Sequence, residues 1–352
     1  MKDISQELID RVKSARTDGT KLQIVGGGSK NFMGREAIGE PLNVAEHSGI
    51  LSYQPIELVL TARGGTKLSE ITAALDEHNQ MLAFEPPMFN GQATIGGTLA
   101  CHLSGPSRPW AGSVRDHVLG IRLINGKAQE LRFGGQVMKN VAGYDVSRMQ
   151  AGAMGTLGII SEVSLKVMPK PVATSMLCQK MDAAQAIEEM NRLAGQSKPL
   201  TGACWFDNHL YLRLAGAPSA VDASVEQWSG TVVEEADALW QRLREQQLDY
   251  FSGEAPLWRF SVNSHAQHLL PEEAWLLDWG GSQRWLRGNF SADELESLAE
   301  VAGGQVSRYR GGDRQQEVFH TQSEALKQLH QRLKNAFDPD GLFNFGRLYS
   351  WM

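Results

Sequence analysis

The stretch from Gly91 to Asp116, GQATIGGTLACHLSGPSRPWAGSVRD, constrains the fold of this chain more than any other. It carries paired glycines, hydroxyl side chains and a proline-flanked tryptophan, with almost none of the apolar periodicity that marks a core element. Residues this small let a backbone approach another surface closely. Thr94 is placed to cap a short helix starting near Ile95. That arrangement leaves the N–H groups of Gly96 and Gly97 free beside a positive helix end, where a phosphate is welcome. The stretch reads as a ligand cradle, although a glycine-rich surface loop has the same composition.

Upstream, Ile4, Leu8, Val12 and Ala15 predict an amphipathic helix leading into a strand from Leu22 to Val25. The strand ends in VGGGSKN. Three consecutive glycines can turn their N–H groups toward one point, an anion nest to which Ser29 and Lys30 add a hydroxyl and a charge. The Gly-Lys-Ser/Thr ending of a P-loop and the GxGxxG spacing of a dinucleotide fingerprint are both missing. A strand over 57–63, a helix from Leu68 to about Asn79 and a strand over 81–84 follow, stopped by Pro86-Pro87. Strands over 118–124 and 128–133 flank Asn125-Gly126, which predicts a type I′ hairpin turn. Gly152, Gly155 and Gly158 then precede an alternating strand over 159–168. A dinucleotide loop follows a strand and opens a helix, so the order here is wrong for one.

Pro169 and Pro171 mark a boundary, and the rhythm beyond it is different. Strands over 175–179, 203–206, 209–214 and 231–234, with helices over 182–194 and 219–227, give a βαββαβ order. A looser second copy runs from a helix over 236–247 to a strand over 305–309. This predicts an antiparallel sheet with helices on one face. Leu326, Leu329, Leu333 and Phe337 share one face of a final helix. The expected organisation is α+β throughout, with domains at 1–170 and 171–312 and a segment at 313–352 that docks back.

A formal charge of −6 argues against nucleic acid as a partner. Three cysteines at irregular spacing suit buried thiols in a reducing compartment, and too few are present for a four-thiolate iron–sulfur cluster. The first residues lack the apolar run of a signal peptide, and no run approaches the ~20 apolar residues of a membrane span. The expected location is cytoplasmic, with any membrane association peripheral, at the inner face and through partners.

With VGGGSKNF, EPP, ATIGGTLAC, SGPSRPWAGSVRDHVLG, GGQVMKNVAGYDVSRM and GTLGIISEVSLKVMP all in order, the chain resembles the FAD flavoproteins of the vanillyl-alcohol-oxidase or PCMH type. Within them it is similar to the E-type subunits of glycolate oxidase. The resemblance implies an FAD domain of two α+β subdomains followed by an α+β cap. It implies that Gly26, Gly27, Gly28, Ser29, Lys30 and Asn31 hold the pyrophosphate and ribityl region. Pro87, Thr94, Gly96 and Gly97 are expected on the opposite side, with Gly105 and Asp116 continuing that wall and Gly155, Gly158 and Ile160 near the adenosine half. No histidine stands where tethered members carry one, so noncovalent FAD is implied. The family's Asn-Pro-Gly is replaced by Asn344-Phe345-Gly346, which weakens a carried-over role for Arg347.

Oxidising a 2-hydroxy acid by flavin needs a hydride acceptor, a base and a cationic clamp. The chain has no HxH or HxxxH pair, and no metal site is expected. His265 and His268 suit packing or solvated roles, as does His102. Arg284 and Trp285 are the cap residues best placed to face a flavin, though an ordinary strand after a Gly-Gly turn fits them too. The resemblance therefore implies an FAD subunit of a glycolate-oxidising complex, beside a catalytic D-type flavoprotein and an F-type iron–sulfur subunit. A self-sufficient dehydrogenase of a small 2-hydroxy acid such as D-lactate, and a scaffold without redox function, are the alternatives.

Overall fold

Helix α1 (Ser5–Asp18) forms as its spacing predicts, burying Leu8, Val12 and Ala15, and Gly19 ends it in the left-handed region. The computed structural model describes residues 2–135, 145–266, 270 and 275–352. Next, β1 (Leu22–Val25) pairs in parallel with β2 (Glu40–Asn43). The chain continues through β3 (Ile50–Gln54), β4 (Val59–Arg63), α2 (Leu68–Asp76) and β5 (Gln80–Met81). Short helices α3 (Ile95–Cys101), α4 (Arg108–Ala111) and α5 (Val114–His117) fall inside the glycine-rich stretch. Then come β6 (Val118–Ile124), β7 (Glu130–Gly134), α6 (Val146–Met149), β8 (Ile159–Lys166) and β9 (Met168–Pro169). Five of these strands make an antiparallel sheet in the order β3-β4-β8-β6-β7, and β5 pairs with β9.

Three local expectations change. The fourth strand begins at Val59 rather than residue 57, because Leu58 sits at φ 55° and breaks the extended run. The strand expected over 81–84 shrinks to a two-residue pairing. The hairpin exists, but its turn is longer than type I′. Asn125 Oδ1 accepts from the amides of Lys127 and Gln129, and Ala128 takes the positive φ of 58°. Gly126 is spent on contact instead: a Cβ there would lie 2.4 Å from Asp338 Oδ1.

The second sheet collects β10 (Ala173–Lys180), α7 (Ala183–Ala194), β11 (Leu200–Phe206), β12 (His209–Gly216), α8 (Pro218–Gln227) and β13 (Thr231–Val232). After α9 (Ala236–Arg244) come β14 (Leu257–Ser261), β15 (Trp275–Asp278), β16 (Gln283–Arg287), α10 (Ala292–Val301) and β17 (Gln305–Arg310). All eight strands are antiparallel, in the order β13-β10-β12-β11-β15-β16-β14-β17. Read outward from the middle, each half runs second, third, first, fourth strand, so the suspected repeat is present in topology. Strand alternation splits the side chains between two faces. Trp205, Trp258, Phe260 and Leu286 join α7, α8 and α10 in one core. Cys204, Leu257, Leu276, Trp285 and Tyr309 face the other way, against Met33, Leu103 and Met154, with Trp240 and Leu243 of α9 among them. Helices therefore cover both faces rather than one.

Helix α11 (Glu324–Phe337) buries Lys334, while Leu326 and Leu329 of its apolar stripe stay exposed. Lys334 Nζ binds Asp338 Oδ2 at 2.7 Å and the carbonyls of Thr156 and Phe343. Phe343 and Phe345 then bridge back to Leu22 and Ile38, returning the C-terminal segment to β1.

Candidate functional site

A crevice opens where β1 ends. One wall is Gly26, Gly27, Gly28, Ser29, Lys30 and Asn31. Thr94, Gly96 and Gly97 of the α3 start form another, and Gly155, Gly158 and Ile160 a third. The glycines are required by proximity. A Cβ on Gly27 would lie 1.7 Å from Gln92 O, on Gly26 2.9 Å from Thr94 Oγ1, and on Gly155 2.6 Å from Asn344 Nδ2.

Thr94 caps α3 as expected, accepting from the Gly97 amide at 3.3 Å. The free amides expected beside it are not there. Gly97 N is taken by Thr94, and Gly96 N donates to Gly64 O at 2.8 Å. The unpaired donors lie across the crevice. Among the described residues, the amides of Gly27, Gly28, Ser29 and Lys30 meet no protein acceptor.

Two buried cations face the same space. Among the described residues, Lys30 Nζ hydrogen-bonds only Ser29 Oγ, at 3.3 Å, and lies 5.8 Å from the Phe89 ring, while Arg347 donates to the carbonyls of Lys30 and Asn31. Neither forms an ion pair among the described residues, and burial pushes both pKa values below their ordinary positions. Unpaired charge and unpaired amides at one place describe an anion site, because an anion supplies the acceptors that both lack. These groups fit the pyrophosphate of FAD without a metal, and the close-set glycines fit a ligand lying flat between walls.

Three expected residues lie elsewhere. Asp116 closes a capping box with Ser113 at α5 and is exposed, because its carboxylate is consumed by the Ser113 amide and hydroxyl at 2.8 Å each. Pro87 and Gly105 line a second, smaller crevice. A Cβ on Gly105 would meet Glu85 O at 2.2 Å, so the residue serves loop packing there. His102 ends α3 and contacts Ser113 Oγ at 3.2 Å. Burial and the neighbouring arginines hold its pKa down at about 4. Arg284 is fully buried, donating to the carbonyls of Gly281 and Ala266. His265 is exposed in a turn, and His268, like most of the GGQVMKNVAGYDVSRM motif, lies outside the described residues.

Sequence reasoning missed Gln23, Ile24, Val44, Gly64, Ala100, Cys101 and Met154, and left Asn344 without a role. Gly64-Gly65, directly after a strand, is the signal that could have found one of them. A Cβ on Gly64 would lie 2.1 Å from Ile160 O. Asn344 stitches the walls together, accepting from Ile24 N at 2.7 Å and donating to Met154 O at 2.6 Å.

The fold and the anion crevice define a flavoprotein of the PCMH type, and the comparisons agree. Residues 4–134 match the FAD binding domain family. The fold is shared with p-cresol methylhydroxylase with substrate bound, at TM-score 0.73 and 15% identity over 99% of this chain and 87% of that one. The glycolate oxidase subunit GlcE of Escherichia coli is 46% identical over 99% of this chain and 98% of its own length. The chain belongs to the family of GlcE subunits. The glycolate oxidase subunit GlcD of Bacillus subtilis is 31% identical over 38% of this chain and 29% of its own length. A D-lactate dehydrogenase of Archaeoglobus fulgidus is 23% identical over 81% and 75% respectively.

Proposed function

We propose that this chain is the FAD-binding subunit of a glycolate-oxidising complex, converting glycolate to glyoxylate together with a D-type catalytic flavoprotein and an F-type iron–sulfur subunit. The observation that carries the reading is the pairing of four acceptorless amides with Lys30 and Arg347, two buried cations lacking a carboxylate. Bound noncovalently, FAD supplies a two-electron acceptor. The chain's own residues hold the pyrophosphate through Gly27 to Lys30, and Asn344 keeps the walls at their spacing. Residues 1–170 act as the FAD-binding unit, 171–312 as the cap, and 313–352 complete the crevice. The protein works in the cytoplasm, reaching the inner face of the membrane through its partners. The test is a visible spectrum of the chain purified alone, with glycolate then added under air-free conditions. A yellow protein that glycolate does not bleach supports the proposal. Bleaching without partners points instead to a self-sufficient dehydrogenase, and a colourless protein to a scaffold.

A further inference from the structure

Residues 85–90, EPPMFN, run beside the glycine nest. The Phe89 ring lies 5.8 Å from Lys30 Nζ and meets Phe32 edge-on at 5.8 Å, and the Gln92 carbonyl just beyond the segment presses on Gly27. The segment has little of its own to hold this shape. Glu85, Phe89 and Asn90 take positive φ, at 46°, 44° and 58°, which residues other than glycine adopt when their surroundings impose it. Pro86 and Pro87 have no backbone N–H to donate. The amides of Met88 and Phe89 both go to one side chain of the other half of the chain. Glu245, directly after α9, accepts from Met88 N at 3.1 Å and from Phe89 N at 2.8 Å, and its side chain is 8% exposed. Arg244 Nε fixes that carboxylate in turn, at 2.9 Å. Arg213 of β12 holds Glu85 through two contacts of 2.9 Å. The Glu245 charge also acts on Lys30, opposing part of the burial that draws its pKa down.

We propose that Glu245 is a positioning residue for the nest: by binding the Met88 and Phe89 amides it keeps the Phe89 ring beside Lys30 and so aims that cation at the anion. Bonds from amides to a buried carboxylate are strong enough to set a backbone that local preference would not choose. An ammonium is attracted to an aromatic ring, and a long side chain already held loses less freedom when its anion arrives. Glu245 thus tunes a site that it does not line. The choice of FAD as ligand rests on the reading above, whereas the role of Glu245 rests on this geometry and applies to any bound pyrophosphate.

The experiment is a double-mutant cycle on the full chain after flavin is removed, titrated with FAD by fluorescence and with inorganic pyrophosphate by calorimetry. Glu245→Ala should weaken both ligands about tenfold, within the range of coupling between residues in contact. In a Lys30→Met background the same change should cost less than about twofold, because the group it acts through is gone. Phe89→Leu leaves the amide bonds to Glu245 in place and removes the ring. It should weaken both ligands as much as Glu245→Ala does, with no further loss when the two are combined. Glu245→Gln keeps one acceptor for the amides, should show a smaller loss, and supplies the same cycle where the alanine variant does not fold. A purely structural role predicts losses that multiply in the Lys30→Met background, or a lower melting temperature of the ligand-free chain with affinity unchanged; either result overturns the proposal, as does a harmless Phe89→Leu. Pyrophosphate binding that depends on Glu245, in a chain that takes up no FAD, supports this role and refutes the cofactor reading. A chain that binds neither ligand overturns both.

Discussion

Asp278 offers a quantitative test of how buried the junction between the two sheets is. Its carboxylate is 4% exposed, accepting from Trp279 N at 2.7 Å and Gln283 Nε2 at 3.2 Å. Burial outweighs these bonds and raises its pKa from 3.8 to about 7. The unfolded chain thus releases this proton near its ordinary pKa while the folded chain holds it until about neutrality. Stability contributed by the neutral acid is fully present below the unfolded pKa and is lost as pH rises through the folded one. At about 1.4 kcal/mol per pKa unit, three units amount to roughly 4 kcal/mol across the whole interval. Asp278→Asn keeps an acceptor for Trp279 N and has no proton to lose. Its stability relative to the unaltered protein should therefore improve by about 2.5 kcal/mol between pH 5 and pH 8. Urea unfolding followed by tryptophan fluorescence at both pH values measures this, and any fixed cost of the substitution cancels in the comparison. A difference that stays flat or falls with rising pH refutes the assignment of a desolvated carboxylate.

Gly97→Val should yield soluble, colourless protein. A Cβ there meets only Thr94 Oγ1 at 3.1 Å and Lys30 Nζ at 4.0 Å, so the added methyls enter the crevice and leave the core alone; a variant that stays yellow counts against the site. Lys30→Met should weaken FAD binding by about 10- to 100-fold, the scale of one charged hydrogen bond, without lowering the melting temperature of the FAD-free chain. Lys334→Met strands the buried Asp338 charge and should cost about 3–5 kcal/mol in chemical unfolding, with FAD affinity falling alongside because Asn344 and Arg347 lose their anchorage.

The second sheet was largely legible in the sequence, because short apolar runs such as the WLLD of β15 stop at turn signals such as Gly280-Gly281, which local chemistry alone decides. The glycine walls were legible for a similar reason, since consecutive glycines after a strand can turn their amides toward one point. What escaped depended on residues distant in the chain. Nothing beside Asn125-Gly126 announces that Asp338 will press on Gly126, so the turn looked free to be type I′. Asp116 looked like part of the wall because it continues a motif, yet its partner Ser113 stands three residues away and claims it first. The α3 amides were misjudged because Gly64, whose carbonyl takes Gly96 N, belongs to a different strand end.

Lys30 and Arg347 line one crevice from positions 317 residues apart. A ribosome that has completed the whole five-stranded sheet has still made only part of the crevice's lining, since Asn344 and Arg347 come last. With FAD held as proposed, tight retention should need the chain to have passed the second sheet and returned to β1. A chain cut short after α10 should then be sorted from intact ones by colour alone.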